Sequence, residues 1–212
     1  MKIKLESEYK VKINEKTLQE LSNYEKLKDL LTSAAKAINA EPQFLKFYKT
    51  EKEELYFDTK DRRLKASFIS LRLDTVSRIL TAKVRIFSNG ALKESVEYSS
   101  RLTHQEAEQV LARPSAVLDF LARELRQAIL QRARPEELVI ASKITTSPRN
   151  AVQLALRTSK QKVLLELLLD RKILHDYISG TTRRFCMLEL EHLKGSKRLF
   201  CEFVLEFLRH VR

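Results

Sequence analysis

Residues 2 to 12 alternate strictly enough to be read as a β-strand. In that form Lys4, Glu6, Glu8, Lys10 and Lys12 share one face, and Ile3, Leu5, Tyr9, Val11 and Ile13 share the other. The pattern then changes period. Leu18, Leu21, Leu27, Leu30, Leu31, Ala34 and Ile38 recur at helical spacing behind a capping-box sequence, Thr17-Leu-Gln-Glu20. This predicts a helix over about 17–40 with a break near Ser22-Asn23.

From Glu41 to Ser100 short alternating runs return. Ile69, Leu71 and Leu73 oppose Phe68, Ser70, Arg72 and Asp74. Leu80, Ala82, Val84 and Ile86 oppose Thr81, Lys83 and Arg85. Leu92, Val96 and Tyr98 oppose Lys93, Ser95 and Glu97. Asn89-Gly90 is a tight-turn signal between the last two, so three consecutive antiparallel strands are expected.

A second capping box, Thr103-His-Gln-Glu106, and a restart at Pro114-Ser115 predict a two-helix insertion over about 103–134. Its stripe of Val117, Phe120, Leu121, Leu125 and Ile129 suits packing on a sheet. Strands resume at Val139–Thr145, Arg149–Arg157, Val163–Arg171 and Phe185–Lys194. A closing helix near Ser196 buries Leu199, Phe200, Phe203, Val204, Phe207 and Leu208. The count is roughly eight strands in one domain spanning 1–212.

The later strands are apolar on both faces except at Glu166, Asp170, Glu189 and Glu191. A carboxylate inside Leu188-Glu189-Leu190-Glu191 does not fit a solvated sheet face, and burying it is costly unless it is paired or binds metal. A closed barrel meets both conditions, with counter-charges inside and helices packed outside. The expected class is therefore α+β, an eight-stranded antiparallel barrel with a charged lumen.

Composition adds the nature of the partner. Forty basic against 28 acidic residues give a net charge of +12, which favours anionic ligands without choosing among them. Three glycines and four prolines argue against long linkers. No apolar run approaches the roughly 20 residues of a membrane span, and the N-terminal residues lack a signal-peptide core. Cys186 and Cys201 sit in apolar surroundings and are read as free thiols in a reducing, cytoplasmic compartment. His104, His175, His192 and His210 show no metal-ligand spacing. No glycine-rich phosphate loop and no Ser-His-Asp or Cys-His constellation is present. Tyr56 and Phe57 read as core or turn residues, and Arg62-Arg63 and Arg183-Arg184 as solvated loop charges.

Several segments, in order, resemble those of CYTH domains, the triphosphate tunnel metalloenzymes. Glu6-Ser-Glu8-Tyr-Lys10 is similar to the family's Glu-x-Glu-x-Lys signature, and Tyr56-Phe57-Asp58-Thr59 to its Tyr-Phe-Asp-Thr stretch. Ile69-Ser-Leu-Arg72, Leu80-Thr-Ala-Lys83, Glu166-Leu-Leu-Leu-Asp170 and the closing Glu189-Leu-Glu191 follow. The resemblance covers nearly the whole chain. It implies a tunnel barrel that needs Mg²⁺ or Mn²⁺ and hydrolyses tripolyphosphate, thiamine triphosphate, nucleoside triphosphates or RNA 5′-triphosphates; a few members cyclise ATP.

Placed on this sequence, the resemblance makes Glu6, Glu8, Glu189 and Glu191 the metal ligands, a hard oxygen set. Lys10, Arg72, Lys83 and Arg85 are candidate phosphate clamps, with Lys143 and Arg149 as further ones. Glu97, Glu166 and Asp170 are candidates for a second cation or for orienting water. Asp74 stands where many members carry a second arginine, and it is expected to pair with Arg72 or Arg85. The expected function is a metal-dependent triphosphatase acting on a small-molecule triphosphate. The alternatives are an adenylyl cyclase on the same barrel, or a non-catalytic polyphosphate- or nucleic-acid-binding protein.

Overall fold

Strand β1 (Lys2–Ile13) is hydrogen-bonded on both edges, and that double pairing closes the sheet. Its first half faces β5 (Leu92–Arg101), with Glu6 opposite Ser95. Its second half faces β8 (Thr181–Gly195), with Lys10 opposite Glu189. A computed structural model describes residues 2–89 and 92–211. With β2 (Glu41–Asp58), β3 (Ile69–Asp74), β4 (Ile79–Asn89), β6 (Val139–Arg157) and β7 (Lys162–Asp176), the strands form a closed barrel in the order β1-β5-β4-β3-β2-β6-β7-β8. Every pair is antiparallel. The expected Asn89-Gly90 turn lies outside the described residues.

Two strands differ from expectation. The short runs from Glu41 onward are one 18-residue strand, β2, with register shifts at Phe44/Lys46, Thr50/Lys52 and Tyr56/Phe57. Each extra residue resets which side chains face inward, so a period-two reading loses phase. The two runs around Ser147-Pro148 are likewise one strand, β6, whose ladder to β7 skips between Thr146 and Arg149. Proline donates no ladder hydrogen bond there.

The first helical segment is broken, as expected, into α1 (Glu15–Ser22) and α2 (Tyr24–Ala37). Asn14 caps α1 by accepting from the Thr17 amide, so Thr17 is inside the helix and not its cap. Asn23 caps α2. Thr103 and Glu106 form the expected box at α4 (His104–Ala112). The restart at Pro114 is a 3₁₀ helix to Phe120, separated from α5 (Arg123–Leu130) by extended residues Leu121 and Ala122. The short α3 (Arg63–Ala66) is held by Asp58, whose carboxylate accepts from the Thr59, Leu64 and Lys65 amides. No helix among the described residues is long and apolar enough to cross a membrane.

Both hydrophobic cores lie outside the barrel. One packs α1, α2 and α6 (Lys197–His210) on the outer faces of β6, β7 and β8, joining Leu165, Leu167, Leu169, Leu188 and Leu190 to Phe200, Phe203 and Phe207. The other packs α3, α4, the 3₁₀ helix and α5 on β2, β3 and β4, around Phe57, Leu71, Leu73, Leu80 and Ile129. Each such side chain contributes roughly 1.5–3 kcal/mol by leaving water. Because the outward residues of β7 and β8 are consumed by helix packing, Glu166, Glu189 and Glu191 are turned inward.

Candidate active site in the barrel lumen

Alternation along β1 sends Glu6, Glu8 and Lys10 into the lumen, where Glu6 is 3% and Glu8 4% exposed. Glu191 enters from β8, opposite Glu8. Carboxylate oxygens of Glu6, Glu8 and Glu191 all lie within 4.8 Å of one another. Burial first, and then the Glu6 and Glu189 charges, push the Glu191 carboxyl above its ordinary range. Glu191 forms no ion pair among the described residues. The Glu8 Oε2 oxygen is buried without a well-aligned hydrogen bond, although Lys10 Nζ lies 2.9 Å away. An all-oxygen, electron-rich cluster of this kind fits a hard divalent cation.

Glu189 lies outside that triad. Its oxygens meet Lys10 at 3.4 Å and Lys172 at 2.6 Å. Burial opposes its charge, but Lys10, Lys172 and Arg149 outweigh it and hold the carboxyl well below the usual range. Burial likewise opposes the Lys10 ammonium, and Glu189 and Glu8 keep it charged. Lys83 reaches three carboxylates, with a close contact to Glu6, 3.2 Å to Glu97 and 3.8 Å to Glu8.

Beyond the acidic triad the lumen becomes a lattice of ion pairs. Arg149 forks onto Asp170 at 2.8 and 2.6 Å, and Lys172 adds a contact at 2.9 Å, so both Asp170 oxygens are engaged. Arg72 pairs with Glu54 at 3.3 Å and donates to the Tyr56 hydroxyl at 3.4 Å. Glu166, opposite Glu191 across β7–β8, accepts on Oε1 from Tyr48 at 2.6 Å and Gln153 at 2.7 Å.

One expected lumen cation is elsewhere. Lys143 alternates with Ser142 and Ile144, which pair with the inward Tyr56 and Glu54, so it faces the outside and pairs with Glu53 at 2.6 Å. Asp74 pairs with neither Arg72 nor Arg85; it caps its own turn, accepting from the Val76 and Ser77 amides. Arg62 and Arg63 are not free loop charges, because Arg62 bridges to Asp176 at 2.5 Å and Arg63 to Glu137 at 2.7 Å.

Other lumen residues escape the sequence reading: Lys52, Glu54 and Lys172; Lys93, placed by alternation on one face with Glu97, does enter the lumen. The signal for Lys52 and Glu54 is their period of two ahead of Tyr56; for Lys172 it is the same period after Asp170. Lys52, Arg85 and Lys93 form no ion pair among the described residues. Burial, then the Arg149 charge, lowers the Lys52 ammonium, and burial, then Lys10, lowers Lys93. Beside Lys52, across the ladder, the Thr146 hydroxyl is buried without a partner. A cavity of about 150 Å³ opens over Lys10, Arg72, Lys83, Arg85 and Lys93, with Phe68 on its rim.

No family model matches the chain, and no curated protein matches its sequence. Solved structures do. A candidate adenylate cyclase from Bacillus halodurans aligns over 100% of this chain and 91% of its own, with TM-score 0.57 and 19% identity. HpAC1 from Hippeastrum, a candidate adenylyl cyclase described as having a dominant triphosphatase activity, aligns over 97% of this chain and 87% of its own, with TM-score 0.53 and 19% identity. The closed eight-stranded barrel, its helices outside and these likenesses together establish that the chain has the CYTH-type triphosphate tunnel fold.

Proposed function

We propose that the chain is a metal-dependent triphosphatase that hydrolyses inorganic tripolyphosphate or an organic triphosphate inside its barrel. The observation that carries the reading is the convergence of Glu6, Glu8 and Glu191 in a lumen otherwise crowded with lysine and arginine. Phosphoryl transfer asks little covalent work of a protein; it asks for position, charge neutralisation and an oriented water. In this reading Glu6, Glu8 and Glu191 hold one Mg²⁺ or Mn²⁺. When bound, that ion neutralises phosphate charge and polarises the bond to be broken.

The remaining roles belong to the chain's own residues. Lys10, Arg72, Lys83, Arg85 and Lys93 receive phosphate oxygens. Glu189 is assigned to positioning, because it fixes Lys10 and Lys172. Asp170 is a positioning residue for Arg149, which in turn presents its charge to the lumen. Glu166 has one oxygen held by Tyr48 and Gln153, leaving Oε2 to accept a proton from the attacking water. Glu97 steadies Lys83.

Both fold neighbours carry a candidate cyclase assignment, which makes ATP cyclisation the second reading. The test is phosphate release from tripolyphosphate, thiamine triphosphate, ATP and RNA 5′-triphosphate, with and without Mg²⁺ or Mn²⁺, alongside an assay for cyclic AMP. Metal-dependent release from at least one substrate is expected. Release from none overturns the reading, and cyclic AMP as the main product replaces it with the second.

A further inference from the structure

Phe68 is an anomaly of the phosphate cavity's rim. Its backbone is left-handed, with φ of 59°, a conformation a bulky aromatic rarely adopts. The strain is held in place by hydrogen bonds on both sides: its amide donates to the Lys65 carbonyl, and its carbonyl accepts from the Arg85 amide, each at 3.1 Å. The ring adds nothing to either hydrophobic core in return. Phe68 is 61% exposed and belongs to neither hydrophobic core. An over-determined strained residue of this kind is characteristic of binding sites.

Its surroundings show what the ring would bind. Phe68 lines the same cavity as Lys10, Arg72, Arg85 and Lys93. The Arg85 guanidinium lies 5.6 Å from the ring centroid, so a flat cation and a flat aromatic face bracket the rim. Phosphate-binding cations beside an exposed aromatic platform select a ligand that has anionic phosphates at one end and an aromatic ring at the other.

We infer that Phe68 stacks on the aromatic ring of an organic triphosphate, making triphosphates that carry such a ring, and not inorganic tripolyphosphate, the substrate class of this tunnel. The inference deepens the triphosphatase reading and rests on it for the orientation of the phosphates. Arg85 covers the Phe68 ring in the free protein and shares the ligand's ring in the complex.

The test compares calorimetric binding of ATP and tripolyphosphate, without added metal, to the wild type, Phe68→Asn and Phe68→Tyr. Asparagine tolerates the left-handed backbone, so Phe68→Asn keeps or raises the melting temperature and a loss of binding is not a loss of fold. Its ratio of ATP to tripolyphosphate affinity falls at least tenfold, and Phe68→Tyr restores it. An unchanged ratio in Phe68→Asn overturns the inference, as does a wild type that binds tripolyphosphate but not ATP. Turnover is scored separately: absence of hydrolysis with a Phe68-dependent ATP affinity refutes the triphosphatase reading and leaves the stacking site standing.

Discussion

Arg149 and Asp170 face each other across β6 and β7 in a two-pronged ion pair of 2.8 and 2.6 Å, and Asp170 is completely buried. Lys172 closes on the same carboxylate. Removing Asp170 would strand the buried Arg149 guanidinium and leave Lys172 with Glu189 as its one ion-pair partner among the described residues. Asp170→Ala is therefore expected to cost about 3–5 kcal/mol of stability, measured by urea unfolding. A loss below about 1 kcal/mol would show that the lumen is wet enough to dispense with the pair.

The acidic triad makes a complementary prediction. Glu8→Gln and Glu191→Gln abolish metal-dependent turnover and leave the circular dichroism spectrum unchanged. Mg²⁺ or Mn²⁺ raises the melting temperature of the wild type, by about 2.7 kcal/mol of stabilisation at a hundredfold excess over Kd. Neither variant shows that rise. Full activity in both would place the metal elsewhere.

Lys10 and Arg72 are already held by Glu8, Glu189 and Glu54, so their charges are present before any substrate arrives. Lys10→Ala and Arg72→Ala are expected to raise KM for the triphosphate about ten- to hundredfold, the worth of a charge-assisted hydrogen bond, with a smaller change in kcat. Steady-state kinetics on the same substrate checks this, and unchanged values in both variants would move the phosphate site.

Lys52 is a lumen cation without a carboxylate partner, and burial followed by Arg149 lowers its pKa. For a lysine whose folded pKa is depressed, the charged form costs stability at neutral pH. The cost fades as pH rises through the folded value toward the unfolded one near 10.4. Lys52→Met should raise the melting temperature at pH 7, and the gap to wild type should narrow at alkaline pH. A variant less stable than wild type at pH 7 would mean that Lys52 has a stabilising partner.

Much of the barrel was legible along the chain. Alternation in β1, β3, β4 and β5 reads directly, because each strand turns one face toward the charged lumen, even where the opposite apolar face is exposed, as at Ile3, Leu5 and Ile86. It fails in β2 and β6, where bulges insert residues that a strict period cannot absorb. Lys143 shows the consequence: one residue of phase error moves a side chain from the lumen to the outer surface. The helix at Pro114 fails for another reason, since an apolar stripe is equally served by a 3₁₀ helix and a short α5 folded over the same core.

By itself the sequence determined that carboxylates and cations would share an enclosed space, because Glu189 and Glu191 interrupt apolar strands that have no other place for a charge. Only the tertiary structure decided how those charges are divided. Strand register, set by ladders between residues far apart in the chain, brings Glu191 to Glu6 and Glu8 while delivering Glu189 to Lys10 and Lys172. Two glutamates two positions apart on one strand thus acquire opposite electrostatics, one raised among like charges and the other lowered among cations. Coulomb interactions depend on distance through space, which a linear pattern does not carry.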